Sequence, residues 1–227
     1  MGANMIFEVK GAIFDCDGTI LDSMPIWQNS SFVFLKKLGI NGKPDLPERL
    51  FTATLQSGAE LLKSEYSLDL SIDEIKKGIM DVVEDFYRNE VTVKNGVFEI
   101  LEKFIDRKIP CVVVSSGERK LIDIAFDRLD LGKYFKKILC GKKTDPEIFH
   151  EACRTLSLTP ENILVFEDAL YAIKISRNLG FKTCGIYDEA SKCDWEEIKE
   201  TAHVHGKFWH DIMTVLHERR CKIKPLK

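Results

Sequence analysis

A short apolar run followed by a segment of helical spacing recurs along this chain, and that repeat constrains the fold more than any other feature. The runs are Val9 with Ala12, Ile13 and Phe14, then Ile109–Val114, Ile138–Cys140, Ile163–Phe166 and Phe181–Tyr187. Helical spacing fills the intervals at Val97–Asp106, which Gly96 precedes, Lys120–Leu129, Pro146–Leu156 and Ala169–Leu179. Strands that are apolar without alternation are buried on both faces, so the repeat predicts a parallel sheet with helices on each side. The expected class is α/β, with a Rossmann-like three-layer α/β/α core.

Between the first and second runs the pattern is different. Pro25–Leu38 carries Ile26, Phe32, Val33 and Leu35 at helical spacing and is closed by Gly39. Pro47–Tyr87 contains no good strand; its leucines, isoleucines and valines suggest two or three helices, and Ser71 with Glu74 forms a capping-box pattern. The expected organisation is therefore a core of residues 1–22 and 92–227 with a small all-helical domain, residues 23–91, inserted after the first strand.

Ligands of such sheets sit at the carboxyl ends of the strands. The first strand stops at Asp15-Cys16-Asp17-Gly18-Thr19, two carboxylates that converge only through a sharp turn, for which Gly18 is suited. Like charges at that distance call for a bound cation or an unusual protonation state. The second strand ends in Ser115-Ser116-Gly117, whose hydroxyls and accessible amides suit an anion. Gly141-Lys142-Lys143-Thr144 follows the third and supplies cations, and Glu167-Asp168 ends the fourth. Carboxylates from two strand ends suit a magnesium ion, and serine with lysine suits the phosphate that such an ion also touches.

The remaining composition narrows the classes. With 33 basic against 36 acidic residues, a formal charge of -3 and lysines spread along the chain, the 227 residues offer no electrostatic footprint for nucleic acid. The seven cysteines contain no C-x-x-C pair and predict neither a zinc site nor a disulfide framework. No apolar stretch reaches membrane-spanning length. The N-terminus lacks a charged region followed by a long apolar one, and Ile6 stands where a myristoylation signal wants serine or threonine. The expectation is a cytoplasmic protein without a membrane partner. Other motifs fail on their spacing. An EF-hand register puts Ile13 and Met24 at ligand positions one and twelve, a phosphate-loop register puts Lys136 where its first glycine belongs, and no G-x-G occurs. His203 and His205 lack partners at metal-ligand spacing and are expected on the surface of a last strand, and the basic segment Arg219–Lys224 is expected to be a frayed end.

Taken together, the four strand ends resemble the haloacid dehalogenase superfamily, specifically its β-phosphoglucomutase-like phosphatases with a helical cap. The likeness covers nearly the whole chain: Asp15-Cys16-Asp17-Gly18-Thr19 with Asp22-Ser23 matches the first motif, Ser115 the second, Lys143 the third and Glu167-Asp168 the fourth. It implies catalytic roles for Asp15 as nucleophile, Asp17 as general acid and base, and Ser115 and Lys143 as phosphoryl ligands. Gly18, Thr19, Ser116 and Gly117 become substrate-binding positions. Mg2+ is the implied cofactor, held by Asp15, the main-chain carbonyl of Asp17, Asp168 and Glu167. A small phosphorylated metabolite is the implied substrate and a monomer the implied state.

Three departures from the family pattern stand out. Thr144 replaces a proline after the motif lysine, and Ala169 and Ala172 stand where serine and glycine are common. The histidine that the mutase branch carries shortly after the first motif is Trp27 here, and no arginine lies between Arg49 and Arg88 to grip a second phosphate. Both losses favour hydrolysis over phosphate migration. Met24, Trp27, Gln56 and Tyr87 are candidates to line a cap pocket, Trp27 and Tyr87 being equally suited to the cap's own core.

Overall fold

A computed structural model describes residues 7–50, 53–217 and 221–223. In chain order the elements are β1 (Phe7–Val9), β2 (Gly11–Phe14), α1 (Met24–Lys37), α2 (Leu46–Leu50), α3 (Leu55–Tyr66), α4 (Ile72–Asn89), α5 (Val97–Asp106), β3 (Cys111–Ser115) and α6 (Arg119–Leu129). Then follow β4 (Ile138–Cys140), α7 (Glu147–Leu156), β5 (Ile163–Glu167), α8 (Leu170–Asn178), β6 (Lys182–Ile186), α9 (Trp195–Thr201), β7 (Val204–Gly206), α10 (Trp209–His217) and β8 (Cys221–Ile223). The chain divides into two compact units, Met1–Asp22 with Thr92–Lys227, and Ser23–Val91.

The larger unit is built on a six-stranded sheet of order β4-β3-β2-β5-β6-β7, parallel at every pairing. The strand order reverses at β2, which pairs with β3 on one side and β5 on the other, so the crevice beyond these strands is the sheet's natural ligand position. Both faces are filled by the alternation of the strands. Ile13, Val112, Val114, Ile163 and Val165 pack with Phe149, Ala152 and Leu156 of α7. On the other face Phe14 stacks on Phe166, ring centroids 4.5 Å apart, and meets Phe104 of α5 and Trp209 of α10 at 6.0 Å. Covering both faces requires near-continuous apolar strands, which is the pattern the sequence carries. Among the described residues no helix is long and apolar enough to cross a membrane.

The smaller unit contains the helices α1 to α4, with α1 and α3 packed on α4. Ser71 and Glu74 cap α4 reciprocally: the serine hydroxyl accepts from the Glu74 amide at 3.2 Å and the glutamate accepts from the Ser71 amide at 2.7 Å. Phe34 of α1 lies so close to Gly78 of α4 that a Cβ there would stand 2.2 Å from its ring, which makes glycine the residue for this crossing. Tyr87 is fully buried within the unit and its hydroxyl accepts from the Trp27 indole at 2.9 Å, while Gln56 bonds the neighbouring Glu60. Tyr87 thus belongs to this unit's core.

Three details differ from the sequence reading. The first apolar run is two strands: the chain bends at Lys10, whose amide donates to the Asn162 carbonyl, and β1 leaves the main sheet. It pairs in parallel with β8, so Cys221–Ile223 is a strand inside the segment expected to fray; Arg219, Arg220 and Lys224 lie outside the described residues, as does Ile6. His203 is also not a surface residue. It is half-buried just before β7 and its Nδ1 accepts from the Thr183 amide at 3.1 Å, which leaves the ring proton on Nε2.

Burial, and then the charges of Arg177 and Lys182, pull the His203 imidazole from 6.5 down to about 4. Between these values the unfolded chain binds the extra proton and the folded chain does not. The resulting contribution to stability is fully present above pH 6.5 and is lost as pH falls toward 4. Replacing His203 by asparagine, whose amide oxygen reproduces the Nδ1 acceptor, is expected to flatten the fall of Tm over that window in thermal melts. An unchanged slope would mean that other groups carry the acid sensitivity.

Candidate active site

Every side chain of the candidate site is delivered by a strand end of the main sheet. Asp15 follows β2 directly, and its amide still bonds the Phe166 carbonyl at 2.9 Å, so the carboxylate starts from a fixed backbone. Glu167 is the last residue of β5 and Asp168 the next. Lys143 comes from the turn after β4. All four are buried, none more than 5 % exposed, whereas the adjacent Lys142 is exposed. The Lys143 ammonium donates to Asp15 Oδ1 and, at 2.6 Å, to Glu167 Oε2. The second oxygen of Glu167 accepts from the Ala169 amide at 3.0 Å.

Asp168 is held by hydroxyls from two directions. Thr19 donates to its Oδ1 at 3.0 Å and Ser191 to its Oδ2 at 3.2 Å. Thr19 is fully buried, so its hydroxyl supports a carboxylate; the sequence had suggested a substrate contact. Gly18 turns at φ +81, and a Cβ on it would lie 2.6 Å from Asp168 Oδ2, so conformation and space both require glycine. Gly117 is confined similarly: a Cβ would stand 2.8 Å from Asp17 Oδ2 and 3.2 Å from Ser115 Oγ. Ser115 is buried at the end of β3, where its Oγ accepts from the Gly117 amide at 2.9 Å, and Ser116 is exposed. The turn after β2 thus brings Asp17 toward the end of β3 and Gly18 toward Asp168.

The electrostatics of this group are those of a cation site. Asp15, Glu167 and Asp168 offer ligand oxygens that all lie within 4.8 Å of one another, the one such cluster among the described residues. Burial, then the charge of Asp15, pushes the Glu167 carboxyl up to about 7. Burial, then Glu167 and Asp15, holds Asp168 well above the carboxylate range. Burial alone would lower the Lys143 ammonium, but Asp15 and Glu167 outweigh it and hold the group above the ordinary lysine range. Three buried carboxylates share one fixed ammonium, so their full ionisation would leave an excess of negative charge for a cation to offset. The donor set is all oxygen, and it fits a hard divalent cation such as Mg2+. Cys16, between the two aspartates, is buried, and burial followed by the charges of Asp17 and Asp15 raises its thiol, which makes it a packing residue and no nucleophile.

Three residues at the site carry no signal in the motifs. Lys94 donates to the Gly18 carbonyl at 2.7 Å, the Tyr187 carbonyl at 3.0 Å and Asp188 Oδ2 at 2.7 Å. Asp188 and Ser191 follow β6, the fifth strand end. Inspecting that strand end in the sequence as the other four were inspected would have singled out Asp188.

Comparison with known proteins agrees with this geometry. The family model of the haloacid dehalogenase-like hydrolases matches residues 12–186, and the chain belongs to that family. It is similar to a phosphorylated carbohydrates phosphatase of Thermotoga maritima, 25% identical over 77% of this chain and 83% of the relative. An N-acetylmuramic acid 6-phosphate phosphatase of Pseudomonas putida is 23% identical over 79% of this chain and 83% of its own length. In fold the chain resembles a β-phosphoglucomutase-like protein of Thermotoga maritima, with a TM-score of 0.81 and 23% identity over 92% of this chain and 99% of the other. These relatives make the chain a hydrolase of the phosphatase class within its family.

The buried charge cluster yields a stability test that separates the two adjacent lysines. In metal-free protein, Lys143→Met removes the one buried cation from three buried carboxylates and is expected to cost about 3–5 kcal/mol in urea unfolding. Lys142→Met, at an exposed position, is expected to change stability by less than about 0.5 kcal/mol. Equal effects at the two positions would contradict the arrangement.

Proposed function

We propose that the chain is a Mg2+-dependent phosphatase that hydrolyses a small phosphomonoester of the sugar-phosphate class through an aspartyl-phosphate on Asp15. The observation that carries this reading is the buried group of Asp15, Glu167, Asp168 and Lys143, with the buried Ser115 at the end of the neighbouring strand β3. Asp15, Asp168 and Glu167, with the Asp17 carbonyl, would hold Mg2+, whose contribution when bound is to neutralise charge on these carboxylates and on the phosphoryl group.

In the proposed reaction a carboxylate oxygen of Asp15 attacks phosphorus as the bond to the ester oxygen breaks. Asp17 gives the departing oxygen its proton and then takes one from the water that attacks the acyl phosphate, so phosphate leaves and both aspartates return to their starting states. Lys143 spends two of its three donors on Asp15 and Glu167, and the third is available to a phosphoryl oxygen. The Ser115 oxygen already accepts from Gly117, which directs its own proton outward as a further donor. With the amides near Ser116 and Gly18, these donors stabilise the charge that builds on the phosphoryl oxygens in the transition state. Thr19 keeps Asp168 in place.

Two considerations support a small phosphorylated metabolite as substrate: the relatives above are named for phosphorylated carbohydrates and for N-acetylmuramic acid 6-phosphate, and the formal charge of -3 gives no electrostatic case for a nucleic-acid substrate. In the same reading, residues 1–22 and 92–227 are the catalytic domain and the helical residues 23–91 its cap, where selection of the leaving group resides.

The test is inorganic phosphate release from an aryl phosphate and a panel of sugar phosphates, with and without Mg2+. Native protein is expected to require the metal, and Asp15→Asn to lower kcat on the order of 10³–10⁶-fold. Isomerisation of a sugar phosphate with no phosphate released would overturn hydrolysis in favour of a mutase.

A further inference from the structure

We infer that Lys94 is a positioning residue for the acidic site, a single ammonium that braces both loops from which Asp168 is held. The inference rests on the phosphatase reading of that site and adds to it a residue outside all four motifs.

The argument follows the hydrogen bonds outward from Asp168. Its Oδ1 is held by Thr19, in the turn after β2, and its Oδ2 by Ser191, in the helical turn Glu189–Asp194 after β6. Both hydroxyls sit on loops, and each loop is tied to Lys94. On the first, the lysine donates to the carbonyl of Gly18, the residue immediately before Thr19, at 2.7 Å. On the second, it donates to the Tyr187 carbonyl at 3.0 Å and to Asp188 Oδ2 at 2.7 Å. The other oxygen of Asp188 accepts from the Ala190 amide at 2.9 Å and so caps the turn that carries Ser191. The three donors of one ammonium are thereby all spent.

The lysine is itself fixed. Its amide donates to the Ile20 carbonyl at 2.8 Å, and the adjacent Val93 bridges to Leu21, so the side chain starts from backbone already paired with the loop it braces. Its side chain is 17 % exposed and that of Asp188 6 %, so the pair is shielded from solvent. Glycine at position 18 brings no side chain to cover its own carbonyl, and the Lys94 ammonium supplies the donor for it.

The test measures Mg2+ affinity by calorimetry, and kcat and KM on an aryl phosphate, for native protein, Lys94→Met and Lys94→Met/Asp188→Asn, with thermal melts of each. The single variant strands the Asp188 charge and is expected to lose stability. The double variant removes that charge, keeps the cap on Ala190 and is expected to recover Tm. If Lys94 positions the loops, both variants bind Mg2+ about 10-fold or more weakly, with kcat reduced and KM for the ester little changed. Should the single variant not fold, the double variant carries the comparison. Return of native Mg2+ affinity along with native Tm in the double variant would reduce Lys94 to a counter-ion of Asp188 and overturn the inference. Native protein that binds Mg2+ yet hydrolyses nothing would overturn the phosphatase reading alone, with Lys94 still judged by the affinities. Absence of Mg2+ binding by native protein would overturn both.

Discussion

Three carboxylates and one ammonium share a buried volume a few ångströms across, and the rest of the larger unit is arranged so that they stay there. Removing each ion from water costs several kcal/mol, and a single Lys143 offsets only part of that for Asp15, Glu167 and Asp168. A chain optimised for stability alone replaces such a group with apolar side chains. Under the proposed function its retention follows from chemistry that needs concentrated negative charge beside a fixed cation, as in a site that would hold a divalent ion against a phosphoryl group. Burial does double duty here. It raises Glu167 and Asp168 in the metal-free protein, and it keeps the field between carboxylates and cation strong once a cation is present.

What keeps these charges in position is the sheet below them. Asp15 and Glu167 are neighbours because β2 and β5 pair in register, Phe14 with Phe166, and those two residues also stack their rings. The aromatic contacts continue to Phe104 and Trp209 from the covering helices, so the floor of the site is a cluster of mutually packed rings. A shift of either strand moves both a carboxylate and a buried aromatic ring, and the packing cost of the second protects the position of the first. The loops above lack such a floor. Their order comes from hydrogen bonds to hydroxyls, to backbone and to Lys94, and from glycines at 18 and 117 where a Cβ has no room.

This division explains which parts of the molecule are legible in the sequence. The continuous apolar strands announce a parallel sheet, and the residues directly after four of them are the polar groups that the sheet then brings together. Position along a strand translates into position in the site, and Lys143 gains its meaning from its place between the third apolar run and the helical run that opens at Pro146. The loop support is illegible for the opposite reason. Lys94 and Ser191 are common residues of solvated turns that only tertiary structure turns inward, whereas Asp188 stands at a fifth strand end and is legible by the same rule as the other four. Thr19 shows the same limit within a motif: its place beside the aspartates is visible in sequence, but whether its hydroxyl faces substrate or Asp168 depends on a turn whose closure no periodicity encodes. His203 and the short β1–β8 pair fall in the same category, since a half-buried histidine and three-residue strands carry no pattern of their own.

The insertion of the helical unit depends on the same stretch of backbone. The chain leaves the larger unit after Asp22 and re-enters it at Thr92, and the two residues are joined by a hydrogen bond of 2.9 Å from the Asp22 amide to the Thr92 carbonyl. The bridge between Leu21 and Val93 and the bond from the Lys94 amide to Ile20 continue this pairing toward the acidic turn. Outgoing and returning chain thus form a short paired ribbon within the larger unit, so that a unit of 69 residues can be inserted without opening the sheet. The ribbon starts at the turn that carries Asp15 and Asp17 and ends at the lysine that holds Gly18. Its position couples the anchoring of the insert to the shape of the acidic turn. A tolerant place for an insertion is an exposed surface loop; this chain instead inserts shortly after the strand end that bears both aspartates, where the paired ribbon ties the outgoing and returning backbone together.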